Sequence, residues 1–271
     1  MSVTIVGGTP RPWFQIEFTG IPPVSDEEMS QQQEQAKTLG LPEINTSPAL
    51  IQPKGRRLAV IGGGPSIEDN LDKIRGWDGD RWAIGGAYDW CKARGIETTF
   101  IACDPHPIVA QWAHDTTKAI VTSRCHPKVF EVLKANNADV QTFDLEGDTR
   151  IISGSSTATA VPHIAALSGY SNVTFFGCEG SYELHKTHAY MREVRTEELL
   201  VAVGDAHFFT APDFLMQSLE LRHIINLAPH AFFEESGGLL RALIKNGGEY
   251  KLLWISEGMY ERLKPKEQEA A

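Results

Sequence analysis

Arg57-Leu58-Ala59-Val60-Ile61-Gly62-Gly63-Gly64-Pro65-Ser66-Ile67 is the stretch on which the fold turns. Residues 58–61 are a short apolar, partly β-branched run, as expected of a central strand in a parallel sheet. Three glycines follow and permit backbone angles and close ligand approach that a Cβ would block. Pro65 suits the first position of a helix, and the Ser66 side chain can accept from an otherwise unpaired amide of the first turn. A strand, a glycine turn and a helix start in that order gather free N–H groups at a positive helix end, which is an anion site. The segment points to a phosphorylated ligand, a nucleotide before others.

Outward from this stretch, strand and helix signals alternate. The first strand is followed by a helix over 66–75, a strand over 82–84 by a helix over 88–94, and a strand over 98–102 runs into Asp104. A strand over 119–122, a helix over 127–136 and a strand over 140–143 close that half. A helix over 156–168 then leads to a strand over 172–176; residues 212–246 are helix-rich and 250–255 reads as a last strand. Such alternation predicts an α/β fold, a mostly parallel sheet with helices on both faces. Ligands of such sheets sit outside the carboxyl ends of the strands.

Residues 1–55 differ from the rest and are separated here as an N-terminal arm and linker, with residues 56–271 as the main domain. An edge strand is expected over 2–6. Ser25-Asp26-Glu27-Glu28 is a capping-box pattern ahead of a polar, Gln-rich helix over 28–39. Pro42, Pro48 and Pro53 mark an extended linker over 41–55. The arm is expected to pack on the main domain as an arm or lid, or to join subunits of a homo-oligomer.

Composition narrows the classes. The chain has 271 residues and a 42% apolar fraction, enough for one large α/β domain or two small ones. No apolar run approaches the roughly 20 residues of a membrane span, and the first ten residues lack the pattern of a secretory signal. The four cysteines, Cys91, Cys103, Cys125 and Cys178, form no CxxC pair. They read as reduced buried thiols, which implies a cytoplasmic location. A net charge of −10 disfavours nucleic acid as partner, the longest basic cluster being the short Lys54-Gly55-Arg56-Arg57.

Five constellations can carry chemistry. The Gly62-Gly63-Gly64-Pro65-Ser66 turn is no Walker A loop, since no Gly-Lys-Ser/Thr follows, and Ile67 stands where a dinucleotide fingerprint has its third glycine. It is either a phosphate cradle or a purely structural tight turn. Asp104, in Ala102-Cys103-Asp104-Pro105-His106, falls at a strand's carboxyl end and could hold Mg²⁺ on a polyphosphate, bond a ribose hydroxyl, or cap the next helix. Ser153-Gly154-Ser155-Ser156-Thr157 opens a second glycine-containing helix start whose hydroxyls suit a phosphate or a base, or simple small-residue packing. Gly177-Cys178-Glu179 ends a strand and leads to a loop over 180–193 with His185, His188 and Tyr190. Histidine there suits acid/base work, while a His185–His188–Glu179 metal trio fits no standard zinc spacing. Gly204-Asp205-Ala206-His207 precedes an amphipathic helix over 213–225 and adds His207 as a candidate.

Several of these motifs together resemble a known group. Gly62-Gly63-Gly64-Pro65-Ser66-Ile67 is similar to the G-x-G-P-S-L segment of the 6-hydroxymethylpterin diphosphokinase MptE-like family, and a similar segment occurs in Campylobacter-type α-2,3/2,8-sialyltransferases. The run Ser153-Gly154-Ser155-Ser156-Thr157-Ala158-Thr159-Ala160, through Leu167-Ser168-Gly169-Tyr170 to Val173-Thr174-Phe175-Phe176-Gly177-Cys178-Glu179, resembles the pattern shared by both groups. Glu179-Gly180-Ser181-Tyr182 with His188-Ala189-Tyr190 looks most like the MptE-like proteins. The resemblance covers residues 56–255. It departs at Glu179, where Asp is usual, and at Ile67, where Leu is.

The resemblance implies a Rossmann-like, nucleotide-binding transferase. In the pterin branch diphosphate moves from ATP, with Mg²⁺, to a hydroxymethyl group; in the sialyltransferase branch a CMP-activated sugar is the donor, no metal is needed, and a loop histidine is the base. On either branch His188 takes the role of base, with Asp104 and Glu179 as further catalytic carboxylates. Gly62, Gly63, Gly64, Pro65, Ser66, Ser153, Gly154, Ser155, Ser156 and Tyr190 would hold the nucleotide, and Asp104 the Mg²⁺ of the pterin-like chemistry. A small-molecule hydroxyl acceptor completes the partners. A third expectation, from another class, is a non-catalytic nucleotide-binding or assembly protein on the same fold.

Overall fold

A computed structural model describes residues 4–6, 13–15, 24–44, 55–145, 151, 154–182, 188–190 and 199–254. Its core is a seven-stranded sheet in which every neighbouring pair is parallel. In chain order the structure runs β1 (Thr4–Val6), β2 (Trp13–Gln15), α1 (Asp26–Thr38) and β3 (Arg56–Ile61). Next come α2 (Leu71–Arg75), β4 (Asp80–Ile84), α3 (Ala87–Lys92), β5 (Thr99–Ala102), β6 (Lys118–Thr122), α4 (Pro127–Ala135) and β7 (Asp139–Phe143). The second half holds α5 (Thr157–Leu167), β8 (Tyr170–Phe176), β9 (Leu199–Val203), β10 (Ala206–Thr210), α6 (Pro212–Leu227), β11 (Phe232–Glu234), α7 (Gly238–Lys245) and β12 (Lys251–Trp254).

The sheet order is β11-β8-β3-β4-β5-β6-β7. The chain leaves β3 in one direction through β7, then returns through α5 to lay β8 on the other side of β3. Strand β3 is therefore a topological switch point, where doubly wound sheets open a crevice. Its four apolar residues, Leu58 to Ile61, are fully buried. Alternation sends Ala59 and Ile61 into one apolar cluster with Ile74, Ala87 and Val129, and Leu58 and Val60 into another with Val161, Leu221 and Leu240. Thus α2, α3 and α4 cover one face and α5, α6 and α7 the other, as a parallel sheet requires. The expected α/β, Rossmann-like architecture is the observed one.

The arm is partly described. Its capping box forms: the Glu28 amide donates to Ser25 Oγ at 3.2 Å and the Ser25 amide to Glu28 Oε2 at 2.9 Å. Ala36 of α1 is buried in the main core. Beyond α1 the chain runs beside β7, with the Ile44 amide donating to the Thr142 carbonyl at 2.8 Å and the Thr142 amide to the Pro42 carbonyl at 2.9 Å. These residues cover what would otherwise be the sheet's open edge.

Three expectations are corrected. The helix over 66–75 is instead a 3₁₀ turn, Pro65–Ile67, and the short α2. Asn70 interrupts it: its side-chain amide donates to the carbonyls of Ser66 and Glu235, at 3.0 and 3.1 Å, which is the local bonding that makes Asn a poor interior helix residue. Among the described residues, the strand near the N-terminus pairs only with β2, in a two-stranded antiparallel ladder. The last strand joins β9 and β10 in a separate antiparallel sheet of order β10-β9-β12. There Gly204-Asp205 is the two-residue turn of a hairpin, with Gly204 at φ +59°. Among the described residues no helix is long and apolar enough to cross a membrane. All four cysteines are free, and Cys91, Cys125 and Cys178 are buried.

Candidate functional site

A cleft of about 500 Å³ opens over the carboxyl ends of β8, β3, β4 and β5. Gly62, Gly63, Gly64, Asp104, Gly154, Ser155, Ser156, Glu179, His188 and Tyr190 all line it. Most of them meet there because they lie just past a strand end or at a helix start, while His188 and Tyr190 are brought in by the Ala189 amide on the Gly63 carbonyl. Pro65 and Ser66 lie outside its lining. Ser153 and His185 lie outside the described residues. His207 sits on β10 opposite Ala202 of β9, away from the cleft.

The glycine turn is held to the end of β8 amide by amide. The Gly62 amide donates to the Phe176 carbonyl and the Gly64 amide to the Gly177 carbonyl, both at 2.8 Å. The Ser66 amide then donates to Glu179 Oε1 at 2.8 Å and the Ser66 hydroxyl to Oε2 at 3.0 Å. The donors that the sequence offers to a phosphate at Ser66 are thus taken by the chain's own carboxylate. Glu179 is only 4% exposed. Burial lifts its carboxyl above the usual range, although the Ser66 amide and hydroxyl pull the other way. A Cβ on Gly64 would run into that carboxyl group and displace it from Ser66.

Past β5, Asp104 folds back on its own loop. Its Oδ1 accepts the His106 amide at 2.8 Å and pairs with His106 Nδ1 at 2.6 Å. This is a carboxylate–imidazole pair on the cleft wall, formed ahead of the 3₁₀ turn Pro107–Gln111. Asp104 remains 47% exposed, and its Oδ2 has no partner among the described residues. It suits a single anchor for a phosphate-bound Mg²⁺, an ion that commonly takes one or two carboxylates and completes its shell with substrate oxygens and water. Among the described residues no group of three or more His, Cys, Asp or Glu side chains is set for a metal.

On the opposite wall, the start of α5 carries a second occupied cradle. The Ser155 amide and hydroxyl both donate to Glu220 Oε2 at 2.8 Å, and the Ser156 amide donates to Thr159 Oγ1 at 3.1 Å. Thr157 Oγ1 accepts the Cys103 amide at 3.1 Å, tying α5 to the end of β5. The next two amides, of Thr157 and Ala158, have no acceptor among the described residues. They stand at the positive end of an 11-residue helix.

His188-Ala189-Tyr190 closes over the glycines. The Ala189 amide donates to the Gly63 carbonyl at 2.9 Å. The His188 ring lies 5.4 Å from that of Tyr190 at 32° and meets Phe214 edge-on at 5.8 Å. Tyr190 lies across both Gly63 and Gly86, and a Cβ on Gly86 would stand 2.7–2.8 Å from its ring. Burial pushes the Tyr190 hydroxyl above its ordinary range, with Asp89 and Cys91 adding to the effect, while the residue as a whole is 37% exposed.

Sequence reasoning missed His106, Gly85, Gly86, Trp112, Asp213, Phe214 and Gln217, all of which line the cleft. Gly85-Gly86 repeats the strand-then-glycines signal of the 62–64 turn and was there to be found. His106 and Trp112 flank the 3₁₀ turn after β5, and Asp213, Phe214 and Gln217 depend on which face α6 presents. Among the described lining residues there is no Lys or Arg, whereas Asp104, Glu179 and Asp213 are acidic.

Fold and cleft together define a class: a doubly wound α/β protein with a crevice at its switch point. No known protein-family model matches this chain, and no curated protein is significantly similar to it.

Proposed function

We propose that the cleft binds a nucleotide and that the protein transfers a phosphate-linked group from it to a hydroxyl acceptor. The first form of the reaction is diphosphate transfer from ATP to an alcohol such as 6-hydroxymethylpterin, as in the MptE-like family. The observation that carries the reading is the convergence in one cleft of the α5 start, the glycine turn, Asp104 and His188.

The Thr157 and Ala158 amides, with the hydroxyls of Ser155 and Ser156, supply donors for phosphate oxygens once Glu220 yields its place. His188 takes the proton of the acceptor hydroxyl as its oxygen attacks the β-phosphorus; AMP leaves with the electrons of the broken P–O bond. Asp104 would hold the Mg²⁺ that neutralises the polyphosphate. Tyr190 and Phe214 hold the His188 ring in place. In this scheme Glu179 orders the cleft wall through Ser66.

A second reading is transfer of a sugar from a CMP-activated donor. What favours it is the lack of Lys or Arg among the described lining residues, since a monophosphate leaving group is satisfied by amides and hydroxyls without a metal. Four free cysteines accord with a cytoplasmic setting.

Thermal unfolding with ATP, CTP, CMP and UDP, each with and without Mg²⁺, separates the readings. Stabilisation by ATP only when Mg²⁺ is present is the expected result. Metal-independent stabilisation by CMP selects the sugar reading. No response to any nucleotide rejects both enzymatic forms and the non-catalytic nucleotide-binding form with them.

A further inference from the structure

We propose that the Gly85-Gly86 end of the cleft is a stacking subsite for a planar, hydrogen-bonding heterocycle, with Trp112 as its platform and Gln217 as the reader of its edge. The inference deepens the nucleotide-transfer reading and rests on it. Four observations carry it.

The first is the bare peptide after β4. Gly85 takes φ +50° and is only partly covered, while Gly86 is buried beneath Tyr190; both belong to the cleft lining. The second is what stands against them. Ring atoms of Trp112 would be 3.4 and 3.5 Å from a Cβ on Gly85, and Tyr190 lies against Gly86. Two aromatic rings thus flank one peptide unit, and they form no ring pair with one another among the described contacts. A half-buried Trp normally gives its indole N–H a partner; that of Trp112 makes no hydrogen bond to a described residue, nor is it enclosed away from solvent.

The third is charge. No described lining residue is Lys or Arg, so no cationic side chain at this end competes for phosphate with the amides of the α5 start. The fourth is Gln217 on α6. Gln217 belongs to the cleft lining, its side-chain amide has no hydrogen-bond partner among the described residues, and that amide offers both an N–H donor and a carbonyl acceptor. Aromatic faces stack on any heterocycle, and an amide pairs with the alternating donors and acceptors that nucleobases and pterins carry on their edges. The ring has two sources, the base of the donor nucleotide or the acceptor itself, and the experiment separates them.

Calorimetric titration of the full chain uses adenosine, cytidine and 6-hydroxymethylpterin as ring probes, ribose 5-phosphate as a ringless one, and ATP and CMP as nucleotides. At least one ring probe should bind the wild type, and the one that binds identifies the source. Trp112→Ala should weaken that probe about 10-fold or more, Trp112→Phe should weaken it less, and Gln217→Ala should weaken it while leaving ribose 5-phosphate unchanged. The phenylalanine variant keeps a ring against Gly85 and so guards against a merely misfolded alanine variant. Unchanged ring-probe affinity in Trp112→Ala overturns the subsite and leaves the transfer reading standing. The same holds if nucleotides bind and no ring probe does. Ring probes that bind through Trp112 while ATP and CMP bind no better than adenosine and cytidine would support the subsite and overturn the transfer reading. A wild type that binds none of the probes overturns both.

Discussion

Replacing His188 by Ala should lower turnover about 10²- to 10⁴-fold, the usual contribution of a positioned general base, while nucleotide binding stays largely intact. The reason is its position. His188 stands on the stretch that hydrogen-bonds the Gly63 carbonyl through Ala189, so the backbone holds it over the glycine turn without help from its own side chain. Its ring is held by Tyr190 and Phe214. In the proposed scheme the phosphate donors lie elsewhere, at the start of α5, so losing the imidazole would remove proton transfer and not the anion site. The check is steady-state turnover beside a separate binding titration. Unchanged turnover removes His188 from the mechanism, and a loss of binding equal to the loss of turnover makes it a binding residue.

The largest effect on stability should come from Gly177→Ala, a loss of about 3 kcal/mol. Gly177 takes φ +64°, where an L-residue is strained. A Cβ there would also run into Ile67 and stand 2.6 Å from the Gly62 carbonyl oxygen, and backbone cannot step aside. The substitution prises β8 from the glycine turn at the switch point itself. Gly95→Ala is the control, since Gly95 has φ +67° and nothing within 4 Å of its added Cβ; it should show the conformational cost alone, about 1–2 kcal/mol. Urea unfolding of the two variants reads the difference, and equal losses would mean that the close packing of Gly177 adds nothing.

Much of this architecture is legible in the sequence because it is local. The fully apolar 58–61 run, the Ser25–Glu28 capping box and the position of each motif just past a strand follow from neighbours in the chain. The cleft follows from them once the sheet order puts β8 beside β3. The partners of the anion cradles do not follow. Ser66 meets Glu179 across 113 residues and Ser155 meets Glu220 across 65. Nothing in the spacing of a carboxylate on a helix announces that it will fill a helix start elsewhere. The Gly204-Asp205 turn errs the other way: a search for histidines near strand ends sees His207 and passes over the two-residue hairpin that carries it off to a second sheet.

The occupied cradles sharpen what a nucleotide must do. On the proposed reading it would leave Glu179 on Ser66 and compete with Glu220 for Ser155. A crystal structure with ADP or CMP bound tests this most directly. The expected result is phosphate oxygens on the Thr157 and Ala158 amides, with Glu220 moved off Ser155. A nucleotide bound away from the strand ends, or one bound in the cleft with Glu220 still on Ser155 and no phosphate at α5, would contradict it.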